Sequence, residues 1–135
     1  MKNLILILIF VTSLTTTFAQ STTYQFIYYK TGTDAKPIYY FSDLFTSADW
    51  YSSKEEIKSK FKSLLAEEGV DANALLIQEG MKGANSADSK FKANGFKDTL
   101  IKQDEDNFER IQSQYSANKR QVLNPTKKTI NLNRL

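Results

Sequence analysis

The plan of the fold is set by residues 24–42, which read YQFIYYKTGTDAKPIYYFS. Both ends of this stretch are rich in aromatic and β-branched residues, which suit a pleated surface. Between them lie a glycine and an aspartate, which are typical turn residues. Pro37 stands at the first position of the second run, where its missing N–H does least harm to a strand. The pattern predicts a β-hairpin with its loop at residues 31–36.

The two predicted strands are apolar on both faces, so period-two alternation does not show which face is buried. We expect one face to lie on a helix and the other to be at least partly covered. The hairpin also supplies the candidate ligand-binding residues, which are Tyr28, Tyr29, Tyr39 and Tyr40. Tyrosine carries a large apolar area with a polar tip, which suits recognition of a sugar ring, a peptide or a protein. The same residues are also good strand formers, and the pattern leaves core packing open as the alternative.

The first helix after the hairpin is predicted over Ser53–Glu68. A serine followed three residues later by a glutamate, at Ser52–Glu55 and again at Ser53–Glu56, fits a capping box. Gly69 follows as a helix-ending residue. One apolar stripe is predicted to face the core, and it consists of Ile57, Phe61, Leu64 and Leu65. The connector before the helix is expected to provide further core anchors, namely Leu44, Phe45, Trp50 and Tyr51.

A second long helix is predicted over Asp104–Arg120. Acidic residues crowd its start and basic residues its end, as the helix dipole favours. Its apolar face is predicted to consist of Phe108, Ile111, Tyr115 and Val122. The remaining predicted elements are short strands at 74–78 and 96–101 and a short helix that ends at Asn94-Gly95.

Together these elements predict a small α+β domain over residues 20–123. Its small antiparallel sheet is expected to contain the aromatic hairpin and one or two further strands, with two main helices on one face. Residues 124–135 are predicted to be a basic C-terminal tail or an edge strand. Five basic and no acidic residues give residues 119–135 a charge of +5, whereas 12 basic and 15 acidic residues give residues 20–118 a charge of −3. Such a tail suits an acidic partner, a lipid surface or a polyanion, or simply remains solvated.

Residues 1–19 are predicted to be a cleaved signal peptide. Lys2 gives a positive start, an apolar run follows at 4–11, and small or hydroxylated residues lead to a cleavage site after Ala19. The apolar run is shorter than the ~20 residues that a membrane-spanning helix needs, so we expect no stable membrane anchor after cleavage. The Phe18-Ala19-Gln20 junction resembles those of exported proteins of Gram-negative bacteria. That resemblance implies a secreted or periplasmic location, with the cut between Ala19 and Gln20.

The chain contains no cysteine and no histidine. The first absence excludes disulfides, a lipoprotein-type anchor, cysteine zinc sites and thiol catalysis. The second removes the commonest general base and the commonest transition-metal ligand. The acidic run at residues 104–106 lacks the spacing and the central glycine of a calcium loop, and its place at a helix N-terminus explains it. The sequence therefore predicts no metal site, no cofactor and no catalytic residue.

These observations favour an exported, non-catalytic binding or protein-interaction module whose ligand is a protein, a peptide or a glycan. A small carboxylate-dependent hydrolase is the alternative, and it needs two acidic side chains facing each other across a cleft. An inhibitor or immunity-type protein is a third class that the residues do not separate from the first. We do not expect a nucleic-acid partner, because few cations accompany the hairpin aromatics. The pattern leaves the oligomeric state open.

Overall fold

The computed structural model describes residues 22–71, 78–79 and 89–134. The predicted signal peptide and residues 74–77 of a predicted strand lie outside them. The described elements are β1 (Tyr24–Gln25), β2 (Ile27–Thr33), β3 (Lys36–Ser42), β4 (Phe45–Thr46), α1 (Ser47–Glu67), β5 (Gln78–Glu79), α2 (Ser89–Gln112) and β6 (Thr126–Ile130), with 3-10 turns at Ala117–Lys119 and Leu132–Arg134. The predicted α+β class is confirmed, with two main helices and a small sheet built on the aromatic hairpin.

The main sheet has four strands in the order β5-β2-β3-β6, and β1 pairs separately with β4. β2 and β3 form the predicted antiparallel hairpin, and their pairing continues to Thr33 opposite Lys36. The turn is therefore shorter than the predicted loop at 31–36. Gly32 has a φ of +91°, and a Cβ there would collide with the carbonyl oxygen of Lys36. Only glycine accepts this backbone easily, so Gly32 permits the tight turn.

The sheet is mixed, where the sequence predicted an antiparallel one. β6 runs parallel to β3, with Ile38 opposite Thr126 and Ser42 opposite Ile130. A parallel neighbour needs a long crossover connection, and the chain between β3 and β6 contains both helices. The C-terminal segment is thus an integral edge strand of the sheet.

The two helices pack on opposite faces of the sheet, where the sequence predicted both on one face. Tyr40 belongs to a core cluster with Phe61 and Leu65 of α1. Tyr39 and Phe41 belong to a separate cluster, against which α2 residues pack. Successive strand residues point to opposite faces, so these clusters lie on the two sides of β3. A hairpin that is apolar on both faces needs cover on both, and one helix covers only one of them.

α1 begins at Ser47, earlier than the predicted start at Ser52 or Ser53. Thr46 and Asp49 form the capping box: the Asp49 N–H donates to the Thr46 hydroxyl at 3.0 Å, and the Thr46 N–H donates to the Asp49 carboxylate at 3.1 Å. The predicted start coincides with a kink, because Ser53 has non-helical angles (φ −136°, ψ 30°) inside the helix.

The predicted apolar stripe of α1 is confirmed: Phe61, Leu64 and Leu65 are buried, and Ile57 packs against them. Among the core anchors predicted in the connector before the helix, Trp50 and Tyr51 have different outcomes. Trp50 is buried, with its ring stacked on Phe45 at 5.6 Å between centroids. Tyr51 was wrongly placed in the core, since 71% of it is exposed.

α2 is one continuous helix, where the sequence predicted a short helix, a strand at 96–101 and a second helix over Asp104–Arg120. Its inward positions recur at helical spacing from one end to the other, namely Ala93, Phe96, Lys97, Leu100, Ile101, Asp104 and Phe108. Gly95 does not stop the helix, which continues through it with the buried residues Ala93 and Lys97 on either side. The helix ends at Gln112, well before Arg120. Within the described ranges, neither helix is long and apolar enough to cross a membrane.

Candidate functional site

The four hairpin tyrosines do not share one surface. Tyr28 and Tyr39 lie on the face that α2 covers, and Tyr29 and Tyr40 lie on the α1 face. Tyr39 and Tyr40 are only 1% and 4% exposed, whereas Tyr28 and Tyr29 are half-buried. The structure does not bring these four side chains to a common cleft. Ligand binding by this set stays a prediction.

A groove of about 540 Å³ opens between the hairpin, the C-terminal half of α2 and the segment that follows it. We call it the α2 groove. Its lining consists of Lys30, Asp34, Pro37 and Tyr39 from the hairpin, Asp104, Asn107, Phe108, Ile111 and Gln112 from α2, and Tyr115, Lys119, Gln121 and Leu123 from the following segment.

A hydrogen-bonded group of three side chains forms the polar end of the α2 groove. The Lys30 ammonium and the Tyr39 hydroxyl each donate to one oxygen of Asp104, both at 2.7 Å. Burial acts to raise the pKa of Asp104, but the hydrogen bonds from Lys30 and Tyr39, together with the Lys30 charge, outweigh it and lower the pKa. Burial, and then the hydrogen bond to Asp104, raise the pKa of the Tyr39 hydroxyl. The carboxyl is thus held ionised and the phenol protonated.

One face of α2 forms the wall of the groove. Asp104, Asn107, Phe108, Ile111 and Gln112 follow the i, i+3, i+4, i+7, i+8 spacing that brings side chains to one helix face. Phe108 is only 8% exposed and belongs to the base, whereas Ile111 is 45% exposed. The wall therefore changes from buried to open along the last turns of the helix.

The predicted apolar face of the second helix is correct only at Phe108. Ile111, Tyr115 and Val122 were predicted to be buried with it, yet they are 45%, 50% and 86% exposed. The physical reason is that α2 ends at Gln112, so Tyr115 and Val122 leave the helical face. These exposed apolar side chains are the functional candidates that the sequence pattern missed.

The segment after α2 is tied down at both of its ends. The Arg120 guanidinium donates to the carbonyl oxygens of Tyr115 and Ser113, at 3.1 and 3.4 Å. These bonds fold the segment back on the residues that directly follow α2, and the Gln121 backbone N–H donates to the Gln112 side chain at the end of the helix, at 2.8 Å. At the other end, the Asn124 N–H donates to the Ala35 carbonyl at 2.8 Å. The rim of the groove is thereby fixed to both α2 and the hairpin turn.

Lys97 is the unusual titratable group outside the groove. It is 5% exposed, and its ammonium donates to the Ser42 carbonyl at 2.7 Å. Burial, and then the nearby charge of Lys127, lower the pKa of Lys97 to about 8. The sequence signal for this burial is a lysine within the apolar stripe of a helix. The stripe is recognised only once residues 89–112 are known to form one continuous helix. The burial of Lys97 keeps ligands away from it.

Among the described residues, no group of three or more acidic side chains is arranged to hold a metal ion. Asp34 and Asp104 are the carboxylates that line the α2 groove. Comparisons with protein-family models, with curated proteins and with solved structures each return no match.

Proposed function

We propose that the protein is an exported, non-catalytic binding module whose ligand occupies the α2 groove. The observation that carries this proposal is the exposure of Ile111 and Tyr115, at 45% and 50%, on the wall of a groove that also contains oriented polar groups. Ligand sites are usually concave and combine apolar side chains with a few placed hydrogen-bonding groups. The proposal moves the ligand site away from the hairpin tyrosines, of which only Tyr39 lines the groove.

The electrostatics of the groove support a non-catalytic role. A carboxyl that acts as a general acid needs a raised pKa, so that it keeps its proton near neutral pH. The pKa of Asp104 is shifted in the opposite direction, by the hydrogen bonds from Lys30 and Tyr39 that outweigh its burial. Asp104 is therefore poorly suited to act as a general acid. An inhibitor or immunity-type role is a special case of such binding, with a protein as the ligand.

The β6 edge of the sheet is a weaker candidate surface than the groove. β6 carries Lys127 and Lys128, whose ammonium groups lie 2.6 Å from Asp98 and 3.2 Å from Glu68. Lysines on an edge strand discourage the addition of another strand. This favours the groove over strand addition as the mode of binding.

The exported location rests on the leader at residues 1–19, and intact mass measurement tests it. Expressed from its full sequence in a Gram-negative host, the protein is expected in the periplasmic or secreted fraction with Gln20 as its first residue. A cytoplasmic product that retains the leader would contradict export and leave binding by the groove as a separate question.

The binding function is tested by presenting the mature protein, residues 20–135, to arrays of glycans and of peptides. We expect a ligand whose affinity falls about tenfold or more in Tyr115→Ala, because truncation of a binding anchor costs over ~1 kcal/mol. Phe91→Ala is the matched control: Phe91 is 78% exposed near the start of α2, about 30 Å from Ile111 at the helical rise per residue. Absence of any ligand, or equal affinity of Tyr115→Ala and the wild type, would overturn the proposal.

A further inference from the structure

The charges that line the α2 groove balance. Lys30 and Lys119 are cationic, Asp34 and Asp104 are anionic, and Lys30 and Asp104 neutralise each other at 2.7 Å. Lys119 and Asp34 add one further charge of each sign, so a ligand with a net charge gains no net attraction from the lining, while desolvating its charge is costly. The groove therefore favours an uncharged ligand.

Side-chain amides dominate the rest of the polar lining, at Asn107, Gln112 and Gln121. An amide side chain offers both a donor and an acceptor, as a hydroxyl group of a ligand does. The backbone N–H of Gln121 donates to the side-chain oxygen Oε1 of Gln112 at 2.8 Å, which orients the NH₂ group of Gln112. Asn107 is exposed, so its amide is accessible from the groove.

The half-exposed Tyr115 ring adds an apolar surface beside these amides. A saccharide ring presents C–H groups on its faces and hydroxyl groups around its edge. It can therefore stack a face on an aromatic ring while its edge hydroxyls bond to planar polar side chains. The α2 groove places both kinds of partner in one concavity.

We propose that the ligand of the α2 groove is a neutral saccharide, with Tyr115 as the stacking residue and Asn107 and Gln112 as hydrogen-bonding residues. This inference rests on the proposed binding function and narrows its ligand to one chemical class.

A neighbouring concavity of about 420 Å³ supports a ligand longer than one sugar unit. It shares Phe108, Gln112, Gln121 and Leu123 with the α2 groove. It adds Glu105 and Glu109, whose carboxylates further disfavour acidic glycans. A peptide bound as an added strand or as an amphipathic helix fits the lining less well, because those modes need a free strand edge or a continuous apolar groove.

The test uses the mature protein on an array that carries chitohexaose, cellohexaose and maltohexaose, together with uronic-acid oligosaccharides, sulfated oligosaccharides and uncharged peptides. Titration calorimetry then measures the affinity for the oligosaccharide that binds best. We expect a neutral oligosaccharide to bind, with affinity at least about tenfold weaker in Tyr115→Ala and retained in Tyr115→Phe, which keeps the ring. Asn107→Leu is expected to weaken saccharide binding, and Phe91→Ala to leave it unchanged. Equal thermal unfolding midpoints exclude misfolding of the variants.

The other outcomes separate the two proposals. Binding of peptides alone, with loss in Tyr115→Ala, overturns the saccharide inference and leaves the binding function standing. Binding of acidic glycans alone, or neutral binding that Tyr115→Ala does not change, also overturns the inference. No binding to any probe overturns both proposals. Release of new reducing ends from a bound oligosaccharide shows hydrolysis, which overturns the non-catalytic function.

Discussion

At the residue scale, Lys97 places an ammonium group inside the aromatic cluster between β3 and α2. Its nitrogen lies 5.2 Å from the ring centroid of Phe26 and 5.8 Å from that of Phe41. Such contacts attract the charged form, as does the hydrogen bond to the Ser42 carbonyl. Burial works against the charge more strongly, so the pKa of Lys97 falls from its ordinary value of 10.5 to about 8. Near neutral pH the side chain is therefore charged in an environment that disfavours the charge.

This shift predicts a pH dependence of the free energy of unfolding. Between pH 8 and pH 10.5 the folded protein has released the Lys97 proton, whereas the unfolded chain still holds it. The unfolded state then binds more protons, so stability rises with pH, by at most ~1.4 kcal/mol per pH unit for one group. We expect urea denaturation at about pH 7, 8.5 and 9.5 to show that the free energy of unfolding of the wild type increases relative to that of Lys97→Met as the pH rises. Lys102→Met, an exposed lysine of the same helix, is the control. A constant difference between wild type and Lys97→Met would contradict the lowered pKa.

At the scale of elements, the continuity of α2 determines where the site lies. The last turns of this one helix carry Asp104, Asn107 and Ile111 along the groove. A stop at Asn94-Gly95 would free the following residues to adopt another direction. Substitution of two glycines tests the backbone on which this arrangement depends. Gly95 lies inside α2 and Gly32 lies in the hairpin.

Gly95→Ala is expected to stabilise the protein by roughly 0.5–1 kcal/mol, because alanine has the higher helix propensity and no atom beyond its own helix lies within 4 Å of the added Cβ. Gly32→Ala is expected to destabilise it by more than ~1 kcal/mol. Gly32 has a φ of +91°, and its Cβ would meet the Lys36 carbonyl. Urea denaturation of both variants measures these changes. Destabilisation by Gly95→Ala would show that α2 does not pass through this position as a regular helix.

At the scale of the whole molecule, the C-terminal residues complete the core on the α1 face. Ile130 and Leu132 are 6% and 8% exposed and belong to the same cluster as Trp50 and Phe61. Asp43 holds this segment in place, because its N–H donates to the Ile130 carbonyl at 2.9 Å and its carboxylate accepts from the Leu132 N–H at 3.0 Å. Residues 130–132 are therefore part of the folded unit.

Leu132→Ala is accordingly expected to cost about 2–5 kcal/mol of the free energy of unfolding, as for other buried leucines. Val122→Ala is the matched control, since Val122 is 86% exposed and surface substitutions usually change stability by less than ~0.5 kcal/mol. Thermal or urea unfolding compares the two variants. Similar small effects of both substitutions would indicate that the C-terminal segment is a loose tail.

The local pattern of the chain was sufficient for the hairpin, for the apolar stripe of α1 and for the α+β class, because each depends on residues a few positions apart. The sequence also excluded chemistry that depends on histidine or cysteine, because the chain contains neither residue. It misread residues 96–101 as a strand, because a short apolar run fits a buried strand and a buried helix equally well. Because the hairpin is apolar on both faces, the sequence already indicated that both faces are covered. It did not indicate which helix covers which face.

The site itself required the tertiary structure. Asp104 is 65 residues from Tyr39 and 74 residues from Lys30 along the chain, and only the packing of α2 on the hairpin brings their side chains within 2.7 Å. The exposure of Tyr115 follows from where α2 ends and from how Arg120 folds back on the Tyr115 carbonyl. Local periodicity holds no information on contacts over such separations. The sequence by itself therefore determined the hairpin, the apolar stripe of α1 and the α+β class, whereas the packing of α2 against the hairpin decided where a groove opens and which side chains line it.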